Sequence, residues 1–229
     1  MTINWFPGHM HKARREIGKA MPRVSLIMEI LDARIPFSSE NPLVAELRGD
    51  TPCIKVLNKS DLADPQATRA WLTHFEQIPG VTAIALDARQ AGRVKSLPEL
   101  GRRLLPGDRS PGKPVTTMIL GIPNVGKSTL INTLAGRSIA KTGNVPAVTR
   151  AQQRIKISDH FVLLDTPGFL WPKMTPQECG YRLAVTGAIR DAVIEYEDIA
   201  FFAAKYLLER YPDALAQRYD LEVIPEDEM

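Results

Sequence analysis

The sequence predicts an α/β fold, in which a doubly wound sheet is followed by a helical segment at the C-terminal end. Short apolar runs rich in β-branched residues, such as 115–120, are typical of buried strands. Strand-like runs occupy residues 25–31, 52–57, 81–86, 115–120, 153–157 and 161–164. Stretches with helical periodicity lie between these runs, near residues 40–48, 65–77, 97–105 and 129–135. Strands that alternate with helices favour a doubly wound sheet. From residue 175 to 219 the periodicity is helical throughout.

One of these helices has a clear start signal. Asp64 is a suitable N-cap and Pro65 a suitable first helical residue, so we expect a helix to begin between them.

A phosphate-binding loop is predicted at residues 121–128 (GIPNVGKS). The pattern G-x-x-x-x-G-K-S follows an apolar run and precedes a helical stretch, so that backbone N–H groups and the helix N-terminus can face an anion. The residues expected to contact a nucleotide here are Asn124, Val125, Gly126, Lys127, Ser128 and Thr129. Lys127 should reach the β- and γ-phosphates and assist catalysis, and the Ser128 hydroxyl should bind Mg²⁺. The alternative is a glycine-rich turn without a ligand.

A guanine-reading loop is predicted at residues 58–61 (NKSD). The Asp61 carboxylate can accept hydrogen bonds from the ring N–H and the exocyclic amine of guanine, a donor pair that adenine lacks. Lys59 is expected to lie along the base, and Asn58 to brace the loop and reach the purine edge. Asn58 also begins a glycosylation pattern, but nothing in the sequence directs the chain to a secretory route. GTP and GDP are therefore the predicted ligands.

The order of these two loops is unusual. In an ordinary GTPase the phosphate loop precedes the base-reading loop, whereas here it follows. The sequence therefore predicts a circularly permuted P-loop GTPase sheet. Residues 106–114 (PGDRSPGKP) contain three prolines and two glycines and cannot continue a helix. A rejoining linker must lie there if the order is permuted; an ordinary surface loop is the alternative, and both can be true.

A third motif, residues 165–168 (DTPG), ends the last apolar run. The Asp165 carboxylate can hold Mg²⁺ through water, and the Gly168 N–H can meet the γ-phosphate. Thr149 lies in the polar loop 143–149 and is a candidate Mg²⁺ ligand; the alternative is a turn hydroxyl that binds nothing. A loop of this kind can be ordered by a γ-phosphate and released on hydrolysis.

Together these motifs resemble the YlqF/RbgA family of circularly permuted GTPases. The resemblance is carried by residues 4–10 (NWFPGHM), 32–36 (DARIP), 58–61 (NKSD), 121–129 (GIPNVGKST), 165–168 (DTPG) and 183–189 (LAVTGAI). It implies a GTPase that assists late assembly of the large ribosomal subunit, with the rRNA and ribosomal proteins of a subunit precursor as partners. Ala147 departs from the glycine usual in the family, and residues 87–89 read Asp-Ala-Arg instead of Ser-Ala-Lys. Ala88 is still expected to offer its N–H to the guanine oxygen.

Two devices could support catalysis. Ras-like enzymes orient the attacking water with a glutamine after the switch glycine, but this position is Phe169 here, so unaided hydrolysis should be slow. The resemblance assigns His9 a catalytic role, since an imidazole can position or polarise water near neutral pH; the alternative is a histidine that braces the basic helix. Asn124 matches GTPases that bind K⁺ between the phosphates, and a loop-bracing amide is the alternative. Mg²⁺ is thus the expected cofactor, with K⁺ as a candidate second one.

Composition agrees with this interpretation. The 229 residues, 44% of them hydrophobic and 24% charged, can bury one sizeable core plus a small appendage. No apolar stretch approaches the ~18–20 residues of a membrane span, and no signal peptide precedes residue 10. We therefore expect a cytoplasmic protein with no membrane partner. Cys53 and Cys179 lack metal-like or redox-like spacing and are expected to be reduced, buried thiols.

The charge is unevenly distributed, although the net charge is only +3. Residues 9–23, on a predicted helix, contain five basic residues against the single acidic Glu16. This helix could meet an RNA backbone; a solvated helix face is the alternative. We expect three parts: a basic N-terminal segment (residues 1–23), the circularly permuted GTPase domain (24–174) and a C-terminal helical segment (175–229).

Two functions of different class fit these observations. The first is a GTP hydrolase that docks on a large-subunit precursor and leaves after hydrolysis, with the ribosome as activator. The second is a nucleotide-gated RNA-binding switch in which hydrolysis is incidental. The substitution His9→Ala separates them, because a pure switch would keep its assembly function while losing turnover.

Overall fold

The centre of the protein is a six-stranded sheet with the order β3-β2-β1-β4-β6-β5. A computed structural model describes residues 8–105, 113–140, 153–172, 174–189 and 195–221, with side chains from residue 14 onward. The strands are β1 (Leu26–Asp32), β2 (Cys53–Asn58), β3 (Val81–Ala85), β4 (Val115–Gly121), β5 (Gln153–Ser158) and β6 (Phe161–Asp165). Neighbouring strands are parallel, except that β5 runs antiparallel to β6. All six predicted strands are confirmed.

Helices cover the sheet and continue beyond it. In the described part of the chain they are α1 (Gly8–Ala20), α2 (Pro36–Ser39), α3 (Pro42–Arg48), α4 (Pro65–Glu76), α5 (Ala91–Val94), α6 (Leu97–Arg103), α7 (Lys127–Ala135), α8 (Glu178–Val185), α9 (Tyr196–Arg210) and α10 (Pro212–Tyr219). Helix α4 begins as predicted, because the Asp64 carboxylate accepts hydrogen bonds from the backbone N–H groups of Gln66 and Ala67 at 2.7 and 2.9 Å. The predicted helical character of the segment after residue 175 is also confirmed, as α8, α9 and α10.

The helix predicted near residues 40–48 is confirmed as α3, which begins at Pro42. The short helix α2 before it was not predicted, and Glu40 lies in an extended conformation between the two. The Asn41 side chain accepts a hydrogen bond from the Leu43 N–H at 3.1 Å, and Pro42 is the first residue of α3. A capping side chain followed by proline starts a new helix.

The hydrophobic core surrounds β1 and β2, in which every residue is buried. The same cluster of buried side chains includes Ile17 of α1, Leu183 of α8 and Ile199 of α9. Burying an aliphatic side chain of this size contributes about 1.5–3 kcal/mol, so these contacts hold both ends of the described chain against the sheet. Cys53 and Cys179 are free, buried thiols, as predicted. Within the described ranges, no helix combines the length and apolar character required to cross a bilayer.

A buried ion pair joins the neighbouring strands β1 and β2. The Lys55 ammonium lies 2.6 Å from Glu29 and 2.8 Å from Glu40. Burial raises the pKa of Glu29, and the charge of Lys55 opposes this change. The Asn41 backbone N–H donates to Glu29 at 3.2 Å, and the Asn41 side-chain amide donates to the Phe169 carbonyl at 3.2 Å. The ion pair therefore anchors the segment that follows β6.

The sheet has its topological switch point between β1 and β4. These strands are neighbours, but the chain continues from β1 to β2 on one side and from β4 towards β6 on the other. Ligands of open α/β sheets bind in the crevice that such a point creates at the carboxyl ends of the strands. The three predicted motifs follow β2, β4 and β6, so all of them belong to this edge.

Candidate nucleotide-binding site

The turn after β4 requires a glycine at its end. Gly126 has a φ of 100°, in the left-handed region, and a Cβ atom at this position would collide with the Asn58 side-chain amide. Asn124 also has a positive φ, of 56°. Helix α7 begins immediately after this turn, at Lys127, and Ser128 and Thr129 lie in its first turn. The first N–H groups of a helix have no partner within the helix, so this turn can offer them to an anion.

Asn58 joins the phosphate loop to the loop after β3. Its side-chain amide donates to the Val125 carbonyl at 2.7 Å, and its amide oxygen accepts from the Ala88 N–H at 2.8 Å. Asn58 is only 2% exposed. The structure thus brings together three of the residues that the sequence predicts for nucleotide binding, although they lie far apart in the chain.

Lys59 makes a second connection to the phosphate loop. It has a left-handed φ of 60°, and its ammonium donates to the Asn124 carbonyl at 3.0 Å and to Asp32 at 2.9 Å. Asp32 is buried and also accepts two hydrogen bonds from the Arg34 guanidinium, at 2.9 and 2.7 Å. Burial alone would raise the pKa of Asp32, but the Arg34 hydrogen bonds and the Lys59 charge outweigh it, so that this pKa lies below its ordinary value. Asp32 is therefore a charged anchor for Lys59.

Asp61 lies at the outer end of the same crevice. Its carboxylate accepts a hydrogen bond from Arg89 at 2.8 Å, and its side chain is 29% exposed. Arg89 follows Ala88 in the loop after β3, so the two loops that would enclose a base are already in contact.

The phosphate end of the crevice is formed by Lys127, Asp165 and Gly168. The Lys127 ammonium is buried, and within the described residues its hydrogen bonds are long, at 3.5 and 3.4 Å to the carbonyls of Gly121 and Ile122. Burial lowers the pKa of Lys127, and the charge of Asp165 opposes this change. A Cβ atom on Gly168 would lie 3.1 Å from the Lys127 ammonium. Gly168 thus permits the chain after β6 to approach the phosphate loop closely.

Asp165 has the properties of a metal-binding carboxylate. Its Oδ1 atom is buried and, among the described residues, has no hydrogen-bond partner. Burial raises the pKa of Asp165 to about 6, although the Lys127 charge and the Thr166 N–H act in the opposite direction. A buried carboxylate oxygen without a donor suits a hard divalent cation or its water ligands. The residues present therefore fit Mg²⁺.

Asn124 contacts the C-terminal part of the chain. Its side-chain amide donates to the Gly187 carbonyl at 2.8 Å, just after α8. This bond corresponds to the loop-bracing alternative for Asn124, and it connects the phosphate loop directly to the segment that follows the DTPG motif.

Two predicted residues are not positioned by the structure. Thr149 lies outside the described residues, and although His9 belongs to the backbone of α1, its side chain is outside them too. Phe169 is described, and it is completely buried. Its ring packs in the core and is not directed toward water.

Comparison with known proteins agrees with this geometry. Residues 116–218 match the family model described as "50S ribosome-binding GTPase". The chain is 46% identical to "Ribosome biogenesis GTPase A" of Priestia megaterium, over 99% of this chain and 81% of that protein. The chain belongs to the YlqF/RbgA family. It is also 36% identical to "Mitochondrial ribosome-associated GTPase 1" of Mus musculus, over 92% of this chain and 68% of that protein.

A solved YlqF/RbgA structure shares the fold. The crystal structure of GNP-bound YlqF from T. maritima matches with a TM-score of 0.60 and 26% identity, covering 93% of this chain and 78% of that one. The family, the circularly permuted P-loop fold and the GTPase class predicted from the motifs are therefore confirmed.

Sequence reasoning missed three features of this YlqF/RbgA site. It used residues 32–36 only as a family marker, whereas Asp32 and Arg34 anchor Lys59. It gave no role to Asn41, which holds the Phe169 carbonyl. It treated Arg89 only as a departure from the family pattern, whereas Arg89 donates a hydrogen bond to Asp61 at 2.8 Å. A signal was available for the first feature, because an acid and a base at the carboxyl end of a strand lie at the site edge of such a sheet.

Proposed function

We propose that this chain binds GTP and hydrolyses it during assembly of the large ribosomal subunit, with the subunit stimulating hydrolysis. The names of its bacterial relatives support a GTPase of ribosome biogenesis, and the description of the matching family model supports the 50S subunit. The main observation in support is that Asn58, Lys59, Lys127 and Asp165 meet at one crevice. Asn58 and Lys59 hydrogen-bond to the phosphate loop, and the charge of Lys127 acts on Asp165.

In this proposal one end of the crevice binds the guanine base and the other end binds the phosphates. At the base end, Asp61 accepts from guanine, and Lys59 and Asn58 support the two loops that enclose the base. The Ala88 N–H donates to Asn58 at 2.8 Å, so its donation to the guanine oxygen requires that it shares this bond with Asn58 or leaves it. At the phosphate end, the residues that contact the nucleotide are Asn124, Val125, Gly126, Lys127, Ser128, Thr129 and Gly168. Among the described residues the Lys127 ammonium contacts two backbone carbonyls at 3.4 to 3.5 Å, so phosphate oxygens would give it shorter, charge-assisted hydrogen bonds.

Mg²⁺ would be held by Ser128, Thr149 and Asp165. When bound, it neutralises charge on the β- and γ-phosphates. The unpartnered Oδ1 atom of Asp165 supports this assignment.

For hydrolysis we propose that His9 acts on the attacking water, because Phe169 offers no polar group. K⁺ near Asn124 remains a proposal as well. If it is correct, turnover in KCl will exceed turnover in NaCl at equal ionic strength, and Asn124→Ala will remove the difference.

The proposed partners are GTP, GDP and the rRNA and proteins of a large-subunit precursor, and the proposed location is the cytoplasm. Arg15 and Lys19 on α1 are exposed, whereas Arg14 forms an exposed ion pair with Glu46 at 2.9 Å. We propose that this face of α1 contacts RNA phosphate. We also propose that the chain has three parts, with boundaries after residues 23 and 174.

The deciding experiment measures GTP turnover in potassium buffer, with and without purified large subunits. The expected result is slow turnover alone and a clear increase with subunits. Lys127→Ala should abolish both rates, and His9→Ala should abolish the stimulated rate while nucleotide binding survives. Lys156→Ala, which removes a lysine from an exposed hairpin, is the matched control. Subunits that leave the rate unchanged would refute the proposal.

A further inference from the structure

The base end of the crevice contains two carboxylates and one arginine. The Arg89 Nη2 atom lies 2.8 Å from Asp61 Oδ2 and 2.8 Å from Asp87 Oδ2. The Arg89 Nε atom also donates to both oxygens of Asp87, at 2.9 and 3.0 Å. One nitrogen that contacts both side chains places the two carboxylates within about 4–6 Å of each other, the range in which like charges interact strongly.

This arrangement poses a problem for guanine recognition. Asp61 must present acceptor lone pairs to two donors of the base. An adjacent Asp87 carboxylate repels the Asp61 carboxylate and can turn it away. Arg34 and Lys59 are also cations at this edge of the sheet, but both donate to Asp32. Arg89 is therefore the group that lies between the two acids.

Asp87 in turn holds Arg89 in place. Its Oδ1 atom accepts from the Arg89 backbone N–H at 2.9 Å as well as from the side chain. The loop itself does not depend on this arginine, because the Ser60 N–H donates to the Leu86 carbonyl at 3.3 Å and the Ala88 N–H donates to Asn58. The guanidinium is 70% exposed, and exposed ion pairs contribute little to folding stability.

We propose that Arg89 is a positioning residue for guanine recognition, which offsets the Asp87 charge and orients the Asp61 carboxylate toward the base. An ionised carboxylate has about four lone-pair sites. One of them on Oδ2 accepts from Arg89, and those that remain can accept from the ring N–H and the exocyclic amine. Asp87 and Arg89 thus act as a matched pair where the family usually has serine and lysine. The inference rests on the proposed function.

The test compares the affinities of GDP and IDP, measured by calorimetry. IDP lacks the exocyclic amine that Asp61 would accept, so the ratio of the two affinities reports on this carboxylate alone. We expect the wild type to prefer GDP. In Arg89→Ala, GDP affinity should fall roughly fivefold, as for the loss of an exposed ion pair, and the preference over IDP should shrink.

Two double variants test whether Arg89 acts by offsetting the charge of Asp87. Asp87→Ser combined with Arg89→Ala removes the repelling charge together with the arginine, so it should recover much of the preference for GDP. Asp87→Ser combined with Arg89→Lys, which restores the usual family pattern, should recover more. Arg69→Ala, an exposed arginine on α4, is the control and should match the wild type. Melting temperatures of all variants check that the fold is retained.

The outcomes are distinct. If Arg89→Ala weakens GDP and IDP by the same factor, or weakens neither, Arg89 does not act through Asp61 and the inference is wrong while the guanine site stands. The inference is also wrong if removing Asp87 gives no recovery. If the wild type itself prefers GDP to neither IDP nor ADP, the assignment of Asp61 to guanine fails, and the role of Arg89 fails with it.

Discussion

Asp165→Asn should stabilise the nucleotide-free protein while it damages nucleotide binding. The Asp165 carboxylate is buried at the end of β6, and its Oδ1 atom has no hydrogen-bond partner among the described residues. Burial raises its pKa to about 6, from an ordinary value of 3.8. An ionised group in this position destabilises the folded state, and an amide of the same shape removes the charge.

The magnitude follows from the two pKa values. Below about pH 4 the carboxyl is protonated in the folded and unfolded states, so it has no effect. Between about pH 4 and 6 the folded state retains a proton that the unfolded state has released, so the free energy of unfolding falls as the pH rises. Above about pH 6 the free energy of unfolding does not fall further on account of this group. The total decrease is roughly 3 kcal/mol, because the two pKa values differ by about two units and each unit corresponds to about 1.4 kcal/mol.

The assay is urea unfolding of the wild type and Asp165→Asn in EDTA, from pH 4 to 7.5. The difference between the two proteins should be near zero at pH 4 and should grow to roughly 3 kcal/mol in favour of the variant at pH 7. Titrating groups that do not interact with Asp165 cancel in this difference. Asp159→Asn, on the exposed hairpin between β5 and β6, is the control and should show no such growth. Curves that stay parallel across this range would falsify the account of Asp165.

Four further results are expected. Asn58→Ala should lower the free energy of unfolding by roughly 2–4 kcal/mol, because two buried backbone groups lose their partner, and urea titration measures this. Phe169→Gln should reduce stability by a similar amount, roughly 2–4 kcal/mol, without raising GTP turnover, since the ring belongs to the core; faster turnover would contradict this. Cys53, whose pKa burial raises to about 12, should resist thiol reagents at pH 8 until the protein unfolds. Hydrogen exchange over residues 178–189 should differ between GDP and a non-hydrolysable GTP analogue, and Asn124→Ala should remove the difference.

The fold could be predicted because its signals are local. Most strands are short apolar runs bounded by polar or glycine-containing turns, so their positions follow from the pattern. Strand order is a long-range property that the pattern does not give. The motifs predicted only that a phosphate loop and a base-reading loop reach one ligand. The short helix α2, which ends just before the Asn41 cap of α3, was not predicted.

The site could be predicted only in part, because charges inside a strand give ambiguous signals. Glu29 and Lys55 interrupt apolar runs, and a sequence does not show that they lie 2.6 Å apart on neighbouring strands. The role of Asp32 is hidden for the same reason, since its partner Lys59 lies beyond the next strand. Residues that match a nucleotide motif could be found, whereas residues that support them are fixed by strand register, which the sequence does not state.

Circular permutation changes the order of the strands along the chain but not which strands lie side by side in the sheet. Loops that come from distant parts of the chain can therefore still form one crevice. The bonds from Asn58 to Val125 and from Lys59 to Asn124 join loops that are separated by 67 and 65 residues, yet they require only that β2 and β4 both lie beside β1. What permutation does change is the path after β6, which now leads into α8. The Asn124 backbone carbonyl accepts from Lys59, and its side-chain amide donates to the Gly187 carbonyl, just after α8. Asn124 therefore contacts both the base-reading loop and the C-terminal part of the chain, and the hydrogen-exchange comparison above tests whether a ligand at the phosphate loop acts on the C-terminal helices through this residue.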